Sequence, residues 1–287
     1  MRHFFTMQSG YRGRLAPSPT GFLHLGHART FWTAQARTLA AGGTLVLRNE
    51  DLDPARSRQE FVAAMIADLR WFGFRWQEGP DCGGPFTPYS QSERRNFHAQ
   101  TFETLKAKGL VYPCHCSRQD VLRALQAPHA GEEEPVYPGT CRPTSSSAVV
   151  KNKTVGSKPA NWRFRVPDGE VIEFEDGCFD KQRFVAGKDF GDFVVWRHDG
   201  VPSYQLAVTS DDAAMQITEV VRGADLLVST ARQLLLYRAL ELQPPAFYHC
   251  PLVTNKAGQR LAKRDAALNL RALREQGLTP EAIRQTW

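Results

Sequence analysis

The stretch RLAPSPTGFLHLGHART, Arg14–Thr30, decides how the chain is read. Pro17 and Pro19 forbid regular helix, and Gly21 permits backbone angles closed to other residues. From about Gly26 to Ala41 the apolar spacing turns helical. Before the turn, residues 13–16 read as a short buried strand. A strand that ends in a turn and runs into a helix presents free backbone N–H groups and the positive end of a helix dipole, an anion site. His24 and His27 stand at that junction, three apart, so both face one side of the first turn. Imidazoles there can donate to phosphate oxygens without a fixed charge, and Gly26 lets a flat ring or a phosphate approach the backbone. Spacing alone is also met by two surface histidines at a helix start, which is the simpler reading.

The pattern continues outward from this junction. Gly42 and Gly43 end the helix, Thr44–Arg48 reads as a buried strand, and Asp53–Pro54 opens a helix with Phe61, Met65, Ile66, Leu69 and Phe72 on one face. Strand–helix–strand–helix is the opening of a parallel α/β sheet. A further helix is expected over 96–108. NWRFRVPDGEVIEFED reads as a hairpin turning at Pro167–Gly169, and DFVVWRHDGVPSYQLAV as a second turning at Asp199–Gly200. Residues 226–242 read as helical, and the tail from Leu268 as short helices. Residues 144–160 are small, polar and basic, a loop composition.

Bulk composition limits the function classes. The 287 residues are 42% hydrophobic, enough for one large or two modest domains with a buried core. The net charge of +6 is compatible with a nucleic-acid partner without requiring one. No apolar run approaches the roughly 20 residues of a membrane span. The N-terminus lacks a signal-peptide core, so a cytoplasmic protein with reduced thiols is expected. Of six cysteines, Cys114, Cys116 and Cys141 lie close together, while Cys82, Cys178 and Cys250 are scattered. Cys-x-Cys with a third cysteine downstream suggests zinc, the fourth ligand being open among His115, His129, Tyr137 and a water.

The string RLAPSPTGFLHLGHART resembles the first motif of class I aminoacyl-tRNA synthetases, with His24-Leu25-Gly26-His27 at their His-Ile-Gly-His tetrapeptide. RLAPSPTG and the following ART resemble the glutamyl and glutaminyl branch. The resemblance implies that His24, Gly26 and His27 bind ATP and serve its phosphates in the transition state. It also implies a second motif at GQRLAKRD, where Arg260-Leu261-Ala262-Lys263-Arg264 stands for Lys-Met-Ser-Lys-Ser, with Lys263 as the catalytic lysine. Arg14 and Arg222 (VVRG) would bind glutamate's carboxylates, Glu50 (RNEDLD) its ammonium, and Ser18 and Tyr204 (SYQLAV) would complete the pocket. CHC…YPGTC resembles the zinc module of short glutamyl-synthetase-like proteins, which implies Cys114, Cys116, Tyr137 and Cys141 as ligands of a structural Zn²⁺.

The short length, the zinc pattern and the altered second motif together resemble the glutamyl-queuosine tRNA(Asp) synthetase family. The expected fold is an α/β, Rossmann-type class I catalytic domain with an inserted zinc-bearing α+β subdomain resembling an acceptor-binding domain, and no anticodon-binding domain. The expected organisation is a loose extension over 1–10, the first catalytic half over 11–95, the insertion over 96–198 with its zinc module at about 113–143, and the second half over 199–287. The implied partners are ATP with Mg²⁺, L-glutamate and tRNA(Asp) carrying queuosine, acted on by a monomer. A short glutamyl-tRNA synthetase charging the 3′ end, an inactive RNA-binding paralogue and a nucleotidyltransferase of the same superfamily are the competing readings.

Overall fold

The computed structural model describes residues 10–117, 119–120, 136–143, 159–252 and 269–287. The 1–10 extension except Gly10, most of the 144–160 loop, His129 and the whole of Arg260–Arg264 lie outside the described residues. The chain forms two compact units: Met1–Ser92 with Met215–Ala224 and Pro245–Trp287, and Glu93–Ala214 with Asp225–Pro244.

The first unit opens as a βαβ motif. Strand β1 (Arg12–Leu15) pairs in parallel with β2 (Thr44–Leu47), Arg12 opposite Thr44 and Leu15 opposite Leu47. Helix α1 (Leu25–Ala40) makes the crossover that a parallel pair requires. Gly13 is where β1 meets α1, because a Cβ there would lie 2.5 Å from Oγ1 of Thr38. Helix α2 (Gln59–Phe72) buries Met65, Leu69 and Phe72. It starts six residues after the expected Asp53. The Asp53 side chain instead accepts the Ala55 amide at 3.1 Å and closes a turn, which takes over the capping role expected of it.

Later in the chain, parallel strands β8 (Glu219–Gly223) and β9 (Ala246–Cys250) complete the parallel part, with Thr218 bonded through its amide to the Arg12 carbonyl at 2.9 Å. Two short helices, α6 (Leu270–Glu275) and α7 (Pro280–Arg284), follow. The core runs through Leu15, Phe31, Leu47, Leu69, Phe72, Val221, Leu270 and Ile283.

This unit carries a buried ion pair. Arg12 grips Glu78 with both terminal nitrogens, at 2.9 and 2.8 Å, and the Tyr89 hydroxyl donates to the same carboxylate at 2.7 Å. Burial would raise the Glu78 carboxyl, but the hydrogen bonds from Arg12 and Tyr89 outweigh it and hold the group below its ordinary value. A depressed carboxyl contributes stability at neutral pH that is lost as pH falls through its folded value. Glu78→Gln, which leaves Arg12 buried without its charge partner, is expected to cost about 3–5 kcal/mol at pH 7. Urea unfolding should show that loss shrinking in acid, where the wild-type carboxylate is itself protonated.

In the second unit, helices α3 (Arg95–Ala107), α4 (Tyr204–Ala214) and α5 (Leu227–Ala239) accompany antiparallel strands. Strand β4 (Asn161–Phe164) pairs with both β3 (Val111–Cys114) and β7 (Phe193–Trp196), while β5 (Val171–Asp176) pairs with β6 (Asp180–Val185). The hairpin expected across Pro167–Gly169 is therefore not formed. Beyond Phe164 the Val166 amide donates to Asp192 at 2.8 Å, not to a ladder, and each half of the expected hairpin finds another partner. The second expected hairpin turns as anticipated, Gly200 donating to Arg197 at 3.1 Å, but its return arm is a single bridge at Pro202. The ladder bond from the Ser203 amide to the Val195 carbonyl at 2.9 Å lies just past Pro202, and from Tyr204 the SYQLAV stretch is helix α4. The second unit accordingly holds 199–214 and 225–244 as well as all of 96–198, with Phe102, Leu105, Phe164, Phe193, Leu206 and Leu235 in one core.

Candidate active site

In the first unit, the implied pocket residues gather at the C-terminal edges of the parallel strands, where ligands bind in open α/β sheets. Arg14 is the third residue of β1 and is 4% exposed. Its Nη1 donates at 2.7 Å to the carbonyl of Val221, the residue before Arg222. Arg222 on β8 is 5% exposed and donates through Nε to His249 Nε2 at 3.1 Å. Two buried guanidiniums on adjoining segments favour an anion between or beside them. Glu50 follows β2; its amide donates at 3.0 Å to the Pro17 carbonyl, which sets it beside the turn that carries exposed Ser18. Its carboxylate accepts from Arg48 Nη2 at 3.0 Å.

The histidine pair caps α1. His24 is the N-cap, and its Nδ1 accepts the Gly26 amide at 3.1 Å, while His27 Nδ1 accepts the His24 amide at 3.4 Å. Each Nδ1 is an acceptor, so in each ring Nε2 carries the proton and is a donor. The rings stack with centroids 3.7 Å apart. Two imidazole donors thus sit at the positive end of a helix. Gly26 is explained by His24 itself: a Cβ there would lie 3.0 Å from that ring. The flat group seated against the glycine within the chain is the capping histidine ring.

Tyr204 belongs to the second unit, where it is the first residue of α4 and 37% exposed. The second unit also holds the cysteine cluster. Cys114 ends β3, and the sulfurs of Cys114, Cys116 and Cys141 all lie within 4.8 Å of one another. The Tyr137 hydroxyl is 3.4 Å from Cys114 Sγ and 3.7 Å from Cys116 Sγ, and Cys116 and Cys141 are 3.5 Å apart. Zinc–sulfur bonds of about 2.3 Å in a tetrahedron give edges of about 3.8 Å, which these separations approach. Among the described residues His115 is not in the cluster. Burial pushes the Cys116 thiol up to about 11 and raises the Tyr137 hydroxyl. Burial also raises Cys141, but hydrogen bonds involving the His115 backbone and Tyr137 outweigh it and leave that thiol low. Arg163 stands behind the cluster, with Nε 3.3 Å from Cys114 Sγ and its guanidinium 3.9 Å over the Tyr137 ring.

Four residues of these sites carry no sequence signal of their own. Arg48 is fully buried in what reads as an apolar strand end, and His249 is fully buried behind Arg222. Asp192 accepts from Tyr112, Arg142 and the Val166 amide, and Arg163 supports the cysteines. Only the odd placement of Arg48 and Arg163 among apolar neighbours could have pointed to them.

An imidazole-capped helix start beside buried arginines on a parallel sheet defines a nucleotide-handling α/β catalytic domain. Residues 11–286 match the family described as tRNA synthetases class I (E and Q), catalytic domain, and the chain belongs to that family. It is 49% identical over 267 residues to the glutamyl-Q tRNA(Asp) synthetase of Nitratidesulfovibrio vulgaris, covering 93% of this chain and 82% of that one. It is 49% identical over 272 residues to the protein of the same name from Symbiobacterium thermophilum, covering 94% and 83%. The crystal structure of glutamate-tRNA synthetase from Elizabethkingia anophelis superposes with a TM-score of 0.78 at 31% identity, over 90% of this chain and 53% of that one. The chain thus spans about half the length of that synthetase. No helix among the described residues is long and apolar enough to cross a membrane.

Proposed function

We propose that this chain activates L-glutamate with ATP and transfers it to the queuosine base at the wobble position of tRNA(Asp). The observation that carries the reading is the 49% identity, over nearly the whole chain, to two relatives named for that activity. The site chemistry agrees with the first step. Buried Arg14 and Arg222 suit a dicarboxylic amino acid, Glu50 suits its ammonium, and Ser18 and Tyr204 complete its recognition. The glutamate α-carboxylate attacks the α-phosphate of ATP in line, forming the acyl–phosphate bond and expelling pyrophosphate. Proximity and charge stabilisation supply the rate, and no protein nucleophile is required. The Nε2 donors of His24 and His27 meet the phosphates, Gly26 keeps the His24 ring seated, and Lys263 neutralises the departing pyrophosphate. Mg²⁺ enters with ATP. A queuosine hydroxyl then attacks the adenylate carbonyl and releases AMP. The protein acts in the cytoplasm, as a monomer.

Zinc held by Cys114, Cys116, Cys141 and Tyr137 is a structural part of this reading, pinning a segment with little core of its own. Purified protein should carry about one zinc per chain. Tyr137→Phe should lose it to a chelator about tenfold more readily, and retention should weaken as pH falls because protons compete for the thiolates. Unchanged retention in that variant would remove Tyr137 from the ligand set.

The acceptor is tested by digesting tRNA labelled with radioactive glutamate. Label on the anticodon-loop fragment supports the proposal. Label on the 3′-terminal fragment would make the chain a short glutamyl-tRNA synthetase.

A further inference from the structure

Phe22 stands two residues before His24, and its ring is 38% exposed although its neighbour Leu23 is buried in the core. The backbone at this point is tied to the start of α6: the Leu270 amide donates to the Leu23 carbonyl at 2.7 Å, and His24 forms an antiparallel bridge with Asn269. That tie brings the Arg271 guanidinium over the Phe22 ring at 4.6 Å. Phe61 meets Phe22 edge-on, with centroids 5.3 Å apart at 90°, and Arg58 lies over Phe61 at 6.0 Å. The Arg58 side chain is 69% exposed and pairs with the exposed carboxylate of Glu60 at 3.4 Å. Among the described residues Arg271 makes no ion pair; Asp68 feels its charge without contact. The result is a run of guanidinium, ring, ring and guanidinium at the mouth of the α1 start, beside the imidazole donors.

Core packing does not account for this run, because Met65, Leu69 and Phe72 fill the buried face of α2 without Phe61, and Leu23 fills the core without Phe22. Aromatic rings and guanidinium planes are the surfaces on which unpaired bases stack, and Arg271 brings positive charge of the kind a phosphate backbone requires. We propose that Phe22, Phe61, Arg271 and Arg58 form a stacking platform that holds an unpaired base of the RNA substrate next to the adenylate site. The inference rests on the proposed function in that it takes RNA as the acceptor. It adds the residues that seat that RNA.

The test uses the full-length zinc-loaded chain with Phe22→Ala, Phe22→Leu, Phe22→Tyr and Arg271→Gln. The Kd for deacylated queuosine-containing tRNA is measured by filter binding, and glutamate-dependent ATP–pyrophosphate exchange is measured without RNA. Phe22→Ala and Phe22→Leu should weaken RNA binding about tenfold, and Phe22→Tyr less than about twofold, since only the ring offers a stacking face. Arg271→Gln should lower the slope of log Kd against log salt by about one. Exchange should stay within about twofold in all four, as these side chains act on RNA. Wild-type affinity in Phe22→Leu, on an RNA that the wild-type chain glutamylates, overturns the platform alone. A raised KM for ATP with unchanged RNA binding assigns the ring to the nucleotide and also overturns it. An RNA that the wild-type chain neither binds nor glutamylates overturns the proposed function, and the platform with it.

Discussion

Arg222→Met is expected to lower kcat/KM for glutamate in ATP–pyrophosphate exchange by about 10²–10⁴, while the chain stays folded. Arg222 is 5% exposed, so whatever carboxylate it meets is largely out of water. Hydrogen bonds to a charged group contribute about 1.5–3 kcal/mol each, and a guanidinium fork makes two. Losing both is about 3–6 kcal/mol, and each 1.36 kcal/mol is a factor of ten in rate. Methionine fills similar space without a charge, so the thermal midpoint should move little. The structural contacts at risk include the 3.1 Å bond to His249 Nε2 and the guanidinium's place 5.6 Å over the Phe247 ring. Arg222→Lys separates charge from shape: it restores the cation without the fork and should recover only part of the loss. The same measurement on Arg14→Met should show a comparable loss. Wild-type glutamate kinetics in both variants would remove the arginines from the pocket.

His24→Asn is expected to drop kcat for exchange about 10²–10³ with little change in stability. Asparagine is among the best N-cap residues, so the α1 start is preserved, whereas the Nε2 donor is gone. Loss of one donor aimed at developing charge carries a penalty of that order. His24→Ala removes donor and cap together and should add about 1 kcal/mol of destabilisation. Gly26→Ala should resemble His24→Asn in rate, because its methyl would sit 3.0 Å from the His24 ring and push the ring from its seat. Urea unfolding and exchange kinetics on the three variants separate the capping role of His24 from its catalytic one. Equal rates in wild type and His24→Asn would confine His24 to the cap.

The local chemistry of the site was legible because it is written in consecutive residues. HLGH announces a capped helix start, and His24 caps α1 through its Nδ1. CHC…YPGTC announces a cluster, and its three sulfurs and the Tyr137 hydroxyl do converge. Helix α3 was legible to within one residue at each end, and α2 along its apolar face though not at its start. What the sequence hid depends on partners distant along the chain. NWRF and VIEFED both alternate, and alternation does not say that the first pairs with β3 and β7 and the second with β6. SYQLAV reads as a strand by composition, yet the ladder reaches only Ser203 and α4 begins at Tyr204. Arg48 and His249 were hidden because a buried polar residue declares itself only through a partner, here Glu50 and Arg222. Gly26 was legible as a point of close approach, though not that the His24 ring two residues earlier lies against it.

The most direct measurement is transfer of labelled glutamate, with ATP, from the zinc-loaded chain onto two pools of bulk tRNA, one from cells that make queuosine and one from cells that cannot. Label on the queuosine pool alone is the predicted result and identifies the modified base as acceptor. Equal label on both pools would contradict it and assign the chain to 3′-end charging.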